Sequence, residues 1–173
     1  MLSMRSVIGK LVRMDFAERK GVLFYAPAGR MLECTYSADS EEVLLDNPRE
    51  MVRVTGDVIV DDAGFPERIV DVEGIEDLDL SPITLEAFAV RGEHLRLREA
   101  VVLFPELDES QEYLILRDEV LGIDVFAPTR EDLLGELEDD LKALWIEYAL
   151  ADPERLTPGA RALRDAWLAL VVR

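Results

Sequence analysis

One histidine, His94, one cysteine, Cys34, and 37 carboxylates are the side chains from which this sequence would have to build reaction chemistry. A nucleophilic site needs a Ser or Cys within hydrogen-bond reach of a base, with a third group orienting that base. Cys34 alternates with Leu32 and Tyr36 in a strand-like run, which directs its thiol toward a core. His94 opens a different run, across what reads as a domain boundary. Neither residue has the companions that a zinc site demands. Magnesium or calcium would accept oxygen ligands alone, and the acids that cluster are Asp61 with Asp62, and Glu138 with Asp139 and Asp140. The first pair has the setting of a hairpin turn and the second group that of a helix surface. Glu112, Asp118 and Asp124, on strand-like segments, form no convergent set of the kind a ribonuclease-H-like nuclease uses. Glycines are isolated at turns and make no phosphate-binding loop. The expectation is a protein with no catalytic residues, no metal and no cofactor, and not an enzyme.

Charge narrows the partners. The formal net charge of −18 repels phosphate backbones over most of the surface. It argues against nucleic acid and in favour of a basic protein, and it leaves homo-oligomerisation open. The exception is the beginning of the chain, where residues 1–38 carry six basic against three acidic side chains, a local net of +3. Arg13, Arg19 and Lys20 lie there close to Phe16, Phe24 and Tyr25, the interleaving that suits a ligand or single-stranded nucleic acid. The lone cysteine permits no internal disulfide, which suits a reducing compartment. Arg5, Lys10 and Arg13 interrupt the apolar residues that a signal peptide would need, and no later run approaches a membrane span. A cytoplasmic protein without a membrane segment is expected.

The elements that would position these residues divide into two groups. Residues 6–14, 22–26 and 31–37 read as short strands separated by turns at Gly21 and at Pro27–Gly29. Residues 39–50, rich in acids and containing Asn47 and Pro48, suggest one short helix or turn. The run MVRVTGDVIVDDAGFPERIVDVEGI sets Val52, Val54, Val58 and Val60 on one face, turns at Asp62–Gly64 and returns, a hairpin with Gly56 placed for a bend or bulge. Five short strands with one helical insertion imply a small β-barrel of the SH3-like or oligonucleotide-fold type over residues 1–82. In its general run this segment resembles small barrel domains of bacterial proteins. Ser81–Pro82 marks the boundary. Beyond it, residues 94–104, 112–116 and 121–126 read as a three-stranded antiparallel meander, so that residues 83–173 form a separate α+β domain with two helices.

The first of those helices is the most legible element. Thr129 and Asp132 form a capping-box pattern, and Leu133, Leu134, Leu137, Leu141, Leu144, Trp145 and Tyr148 recur at spacings of three and four. Opposite that stripe lie Glu131, Glu136, Glu138, Asp139, Asp140 and Glu147, with Lys142 the only basic residue among them. A second helix is expected from Thr157–Pro158, with Leu163, Trp167 and Leu170 on its packing face and Arg161 and Arg164 toward solvent.

Glu119, Gly122, Thr129, Glu131, Asp132, Leu133 and Leu134 follow the pattern E-x-x-G, a short strand, then T-x-E-[ED]-[AL]-L. Over about residues 94–150 this resembles HicB-like antitoxin domains, with Leu121, Ile123 and Pro128 standing where that family commonly has proline, cysteine and aspartate. The resemblance implies a meander carrying the helix on one face, and a role in covering a small basic ribonuclease. On that reading Glu136, Asp139, Asp140 and Glu147 are the candidate partner-binding residues.

Overall fold

The computed structural model describes residues 2–41 and 51–172. It is a mixed α+β protein with two compact units, residues 1–79 with 109–112 and residues 80–108 with 113–173.

The first unit is a closed five-stranded barrel. Its strands are β1 (Leu2–Asp15), β2 (Lys20–Tyr25), β3 (Arg30–Thr35), β4 (Met51–Val60) and β5 (Pro66–Asp77). Around the barrel the order is β1-β2-β3-β5-β4. The long β1 serves two neighbours, pairing with β4 from Leu2 to Lys10 and with β2 from Lys10 to Asp15. A register shift between Leu11 and Arg13 lets it turn from one to the other. Parallel pairing of Glu33 with Arg68 and of Cys34 with Ile69 closes the ring, so this sheet has no free edge. Val7, Leu11, Leu23, Leu32, Cys34, Val52, Val54, Val58 and Ile69 fill the interior from alternating positions.

Gly56 occupies the inward row of β4, and the register with β5 jumps there from Thr55–Gly74 to Asp57–Val70. A Cβ at Gly56 would stand 3.0 Å from the Val72 Cα and 3.1 Å from the Asp71 carbonyl oxygen. Asp71 adopts the left-handed φ of 48° that the bulge requires. The expected bend is therefore a bulge on the partner strand, admitted by the missing side chain. The short helix or turn expected over residues 39–50 lies mostly outside the described residues, which show a 3-10 turn at Ala38–Ser40.

The second unit contains β6 (Ile83–Val90), β7 (Glu93–Leu103), β8 (Glu106–Leu107), β9 (Leu114–Asp118), β10 (Ile123–Ala127), α1 (Arg130–Leu144), α2 (Pro158–Leu170) and β11 (Val171–Val172). The strands form two antiparallel three-stranded sheets, β11-β7-β6 and β10-β9-β8. This corrects the expected meander, because β7 pairs with β6 and β11 while β9 and β10 make a hairpin of their own. Strand β6 escaped the sequence pattern for a physical reason. Ile83 and Leu85 are buried, then Phe88 and Val90, and the register shift between Leu85 and Ala87 breaks the period of two.

Trp167 holds α2 in place. It is fully buried, donates its indole N–H to the Leu121 carbonyl at 3.0 Å, and meets Phe88 edge-on at 5.6 Å between ring centres. Leu163 of the same helix packs where a Cβ on Gly122 would stand, 3.1 Å away, and Gly122 also has a φ of +70°. Glycine at position 122 thus answers both a left-handed turn and a close packing contact. Arg164 departs from expectation: its Nε donates to the Ala151 carbonyl at 3.3 Å, tying α2 to the preceding loop. Among the described residues no helix is long and apolar enough to cross a membrane.

Candidate functional site

Helix α1 starts as its cap chemistry requires. Thr129 Oγ1 accepts the Asp132 backbone N–H at 3.1 Å and donates to the Asp132 carboxylate at 2.7 Å, while Glu131 and Asp132 face the positive end of the helix dipole. Leu133, Leu137, Leu141 and Leu144 are buried, and the helix runs on into a single π-helical turn, Trp145–Ala149, that buries Trp145 and Ala149. Leu134, expected in the stripe, is 44% exposed.

Three of the four candidate acids, Glu136, Asp139 and Glu147, are exposed. Asp140 is not on the open face. It borders the buried row, its Oδ2 is buried without a hydrogen-bond partner, and burial followed by the nearby Asp124 charge raises its pKa above the ordinary aspartate value. The Asp124 backbone N–H, donating to this carboxylate, offsets part of that shift. The reason is angular: Asp140 neighbours Leu137 and Leu144, three and four residues away, at the edge of the apolar stripe. Lys142 bridges Glu138 at 2.9 Å and Asp139 at 3.0 Å, and its own pKa is raised by those two bonds.

Beside this face lies a feature that the sequence did not reveal. Tyr113 and Phe126 meet edge to face, with ring centres 5.8 Å apart and planes at 89°, and both are exposed, Phe126 by 63%. They line an open groove of about 520 Å³ together with Pro128, Gly135, Glu136 and Asp139. Phe126 falls on the outward side of β10, where Ile123, Val125 and Ala127 take the buried positions. The outward place of Phe126 could have been read from that alternation, but its meeting with Tyr113 depends on the pairing of β9 with β10.

In the barrel, the basic candidates belong to the β1–β2 hairpin. Arg13 is exposed at the β1 bulge, Arg19 occupies the turn with a φ of 51°, and Lys20 is held by Glu18 at 2.7 Å. Phe16 and Phe24 are exposed, while Tyr25 is half-buried. Asp61, singled out with Asp62 as an oxygen-ligand pair, serves the turn: it accepts the Ala63 and Phe65 backbone N–H groups at 3.0 Å and the Arg30 guanidinium at 2.6 Å. The Arg30 bond is the main cause of its lowered pKa. Cys34 is fully buried beneath Gly21, and burial pushes its thiol up to about 11, so it is a poor nucleophile near neutral pH. His94 is exposed on β7. Among the described residues no three His, Cys, Asp or Glu side chains gather as metal ligands.

No family model, curated protein or solved structure matches the chain.

Proposed function

We propose that the chain is a non-catalytic, antitoxin-like or regulatory interaction protein whose second unit is HicB-like and docks a basic protein on the outer face of α1. The observation that carries this reading is the one-signed face itself. Glu131, Glu136, Glu138, Asp139 and Glu147 are exposed, and Lys142 is the only basic side chain of the helix interior to oppose them. Such a face steers a basic partner and repels acidic competitors, so it acts first on association rate and specificity. The resemblance to HicB-like domains is supported by the Thr129–Asp132 cap and by the Gly122 turn. The pairing of β7 away from β9 departs from that family's single meander. A small basic ribonuclease is the partner class that the resemblance suggests. The test is to co-purify proteins with the full chain from its native extract, identify any basic one, and rebuild the complex from the two purified components. A complex that forms at low salt and dissolves at high salt supports the reading, and failure to rebuild one contradicts it.

A second reading is favoured by one observation in the barrel. Phe24 of β2 stands across from Met31 of β3 on one side and Lys10 of β1 on the other, and both apolar side chains are exposed. The strand order with its parallel closure fits the oligonucleotide fold, whose β2–β3 face is the usual ligand platform. Base stacking on Phe24 would contribute about 1–3 kcal/mol. A fluorescent oligothymidylate titrated at low salt should then bind the wild type and lose affinity with Phe24→Ala; no binding to the wild type removes this reading.

A further inference from the structure

Resting on the proposed docking of a basic protein, we infer that the groove of Tyr113 and Phe126 receives an arginine side chain of that partner. Three independent features meet there. The first is apolar and aromatic surface left open: Phe126 is 63% and Tyr113 40% exposed, in an edge-to-face pair that lines the groove. The second is charge. Lys142 answers Glu138 and Asp139, whereas Glu131 and Glu136 have no ion-pair partner among the described residues.

The third is Gly135. Glycine inside a helix is disfavoured against alanine because it gains nothing in packing and loses more backbone freedom. No atom lies within 4 Å of the place its Cβ would take, so nothing in the fold requires it. Any longer side chain there would project into the groove. Its absence leaves open space on the helix wall of the groove that Tyr113, Phe126, Glu136 and Asp139 also line.

An apolar ligand would leave the carboxylates desolvated without a counter-charge, and an anion would be repelled. A simple ammonium would satisfy the charge but is strongly hydrated and makes no planar contact. The guanidinium stacks on aromatic rings, stays charged at every physiological pH and forks onto carboxylates, so it fits all three features.

The experiment uses the full chain and a pair of fluorescein-labelled peptides of identical length, one with three arginines spaced by glycine and serine, the other with lysines in their place. The wild type should bind the arginine peptide at low salt and prefer it over the lysine peptide. Phe126→Leu keeps the bulk but removes the π face, and should weaken arginine binding about two- to fivefold, the worth of one exposed cation–π contact, while erasing the preference. Gly135→Leu should weaken it at least about tenfold without lowering the melting temperature, since leucine is the better helix former. Equal affinity of wild type, Phe126→Leu and Gly135→Leu overturns the inference, as does a wild type that binds neither peptide. The combined variant Glu136→Gln, Asp139→Asn separates this failure from failure of the parent reading. If that variant alone loses binding, the acidic face stands and the arginine slot falls; if it binds both peptides like the wild type, the acidic face falls as well.

Discussion

Asp140 shows how one residue can belong to a helix face in sequence and to its edge in space. Its pKa is raised by burial and by Asp124, so the folded state disfavours its charged form. A group with a raised folded value adds no cost below the ordinary aspartate pKa of about 3.9, and a cost that grows as pH rises through the folded value. Asp140→Asn should therefore raise the urea midpoint at pH 7 and bring little change near pH 3. A difference that is the same at both values would show that the Asp140 charge is not the cause. Asp140 is thus best regarded as a structural residue of the α1 edge, with Glu136, Asp139 and Glu147 left as the exposed acids of the candidate surface.

At the scale of elements, cap and bulge make the sharpest predictions. Thr129→Ala removes both bonds between Thr129 and Asp132 and should cost about 1 kcal/mol in thermal unfolding. Gly56→Ala sets a methyl group 3.0 Å from the backbone of β5, which cannot give way as a flexible side chain can, and should cost about 1–3 kcal/mol. A Gly56→Ala variant as stable as the wild type would mean that the bulge at Asp71 relaxes freely. These same elements show what could be read beforehand. Thr129, Asp132 and the leucines of α1 are local signals, as are Val52, Val54 and Val58 around Gly56, because cap chemistry and period-two burial operate within a few residues. Strand β6 was illegible because its bulge near Glu86 shifts the buried positions from 83 and 85 to 88 and 90. The pairing of β7 with the distant β11 is a long-range choice that no local pattern records. The groove of Tyr113, Phe126 and Gly135 combines both kinds of information, so its residues were visible but their meeting was not.

For the whole molecule, the proposed function is recognition of a basic protein by an acidic α+β unit. That unit includes its own buried centre around Trp167, Phe88 and Trp145, whose rings meet edge-on at 5.6 and 6.0 Å. A fragment of residues 80–173 should accordingly unfold in one cooperative transition followed by near-ultraviolet circular dichroism; a non-cooperative fragment would mean that its core needs the barrel. The association rate with the reconstituted basic partner, followed as ionic strength is raised, tests this recognition for the wild type and for the variant carrying Glu136→Gln, Asp139→Asn and Glu147→Gln. The wild-type rate should be fast and fall steeply with salt, and the variant rate should be slower with a flattened salt dependence and an unchanged fold. Superimposable rates at every salt concentration would contradict it and leave the face of α1 as solvated surface.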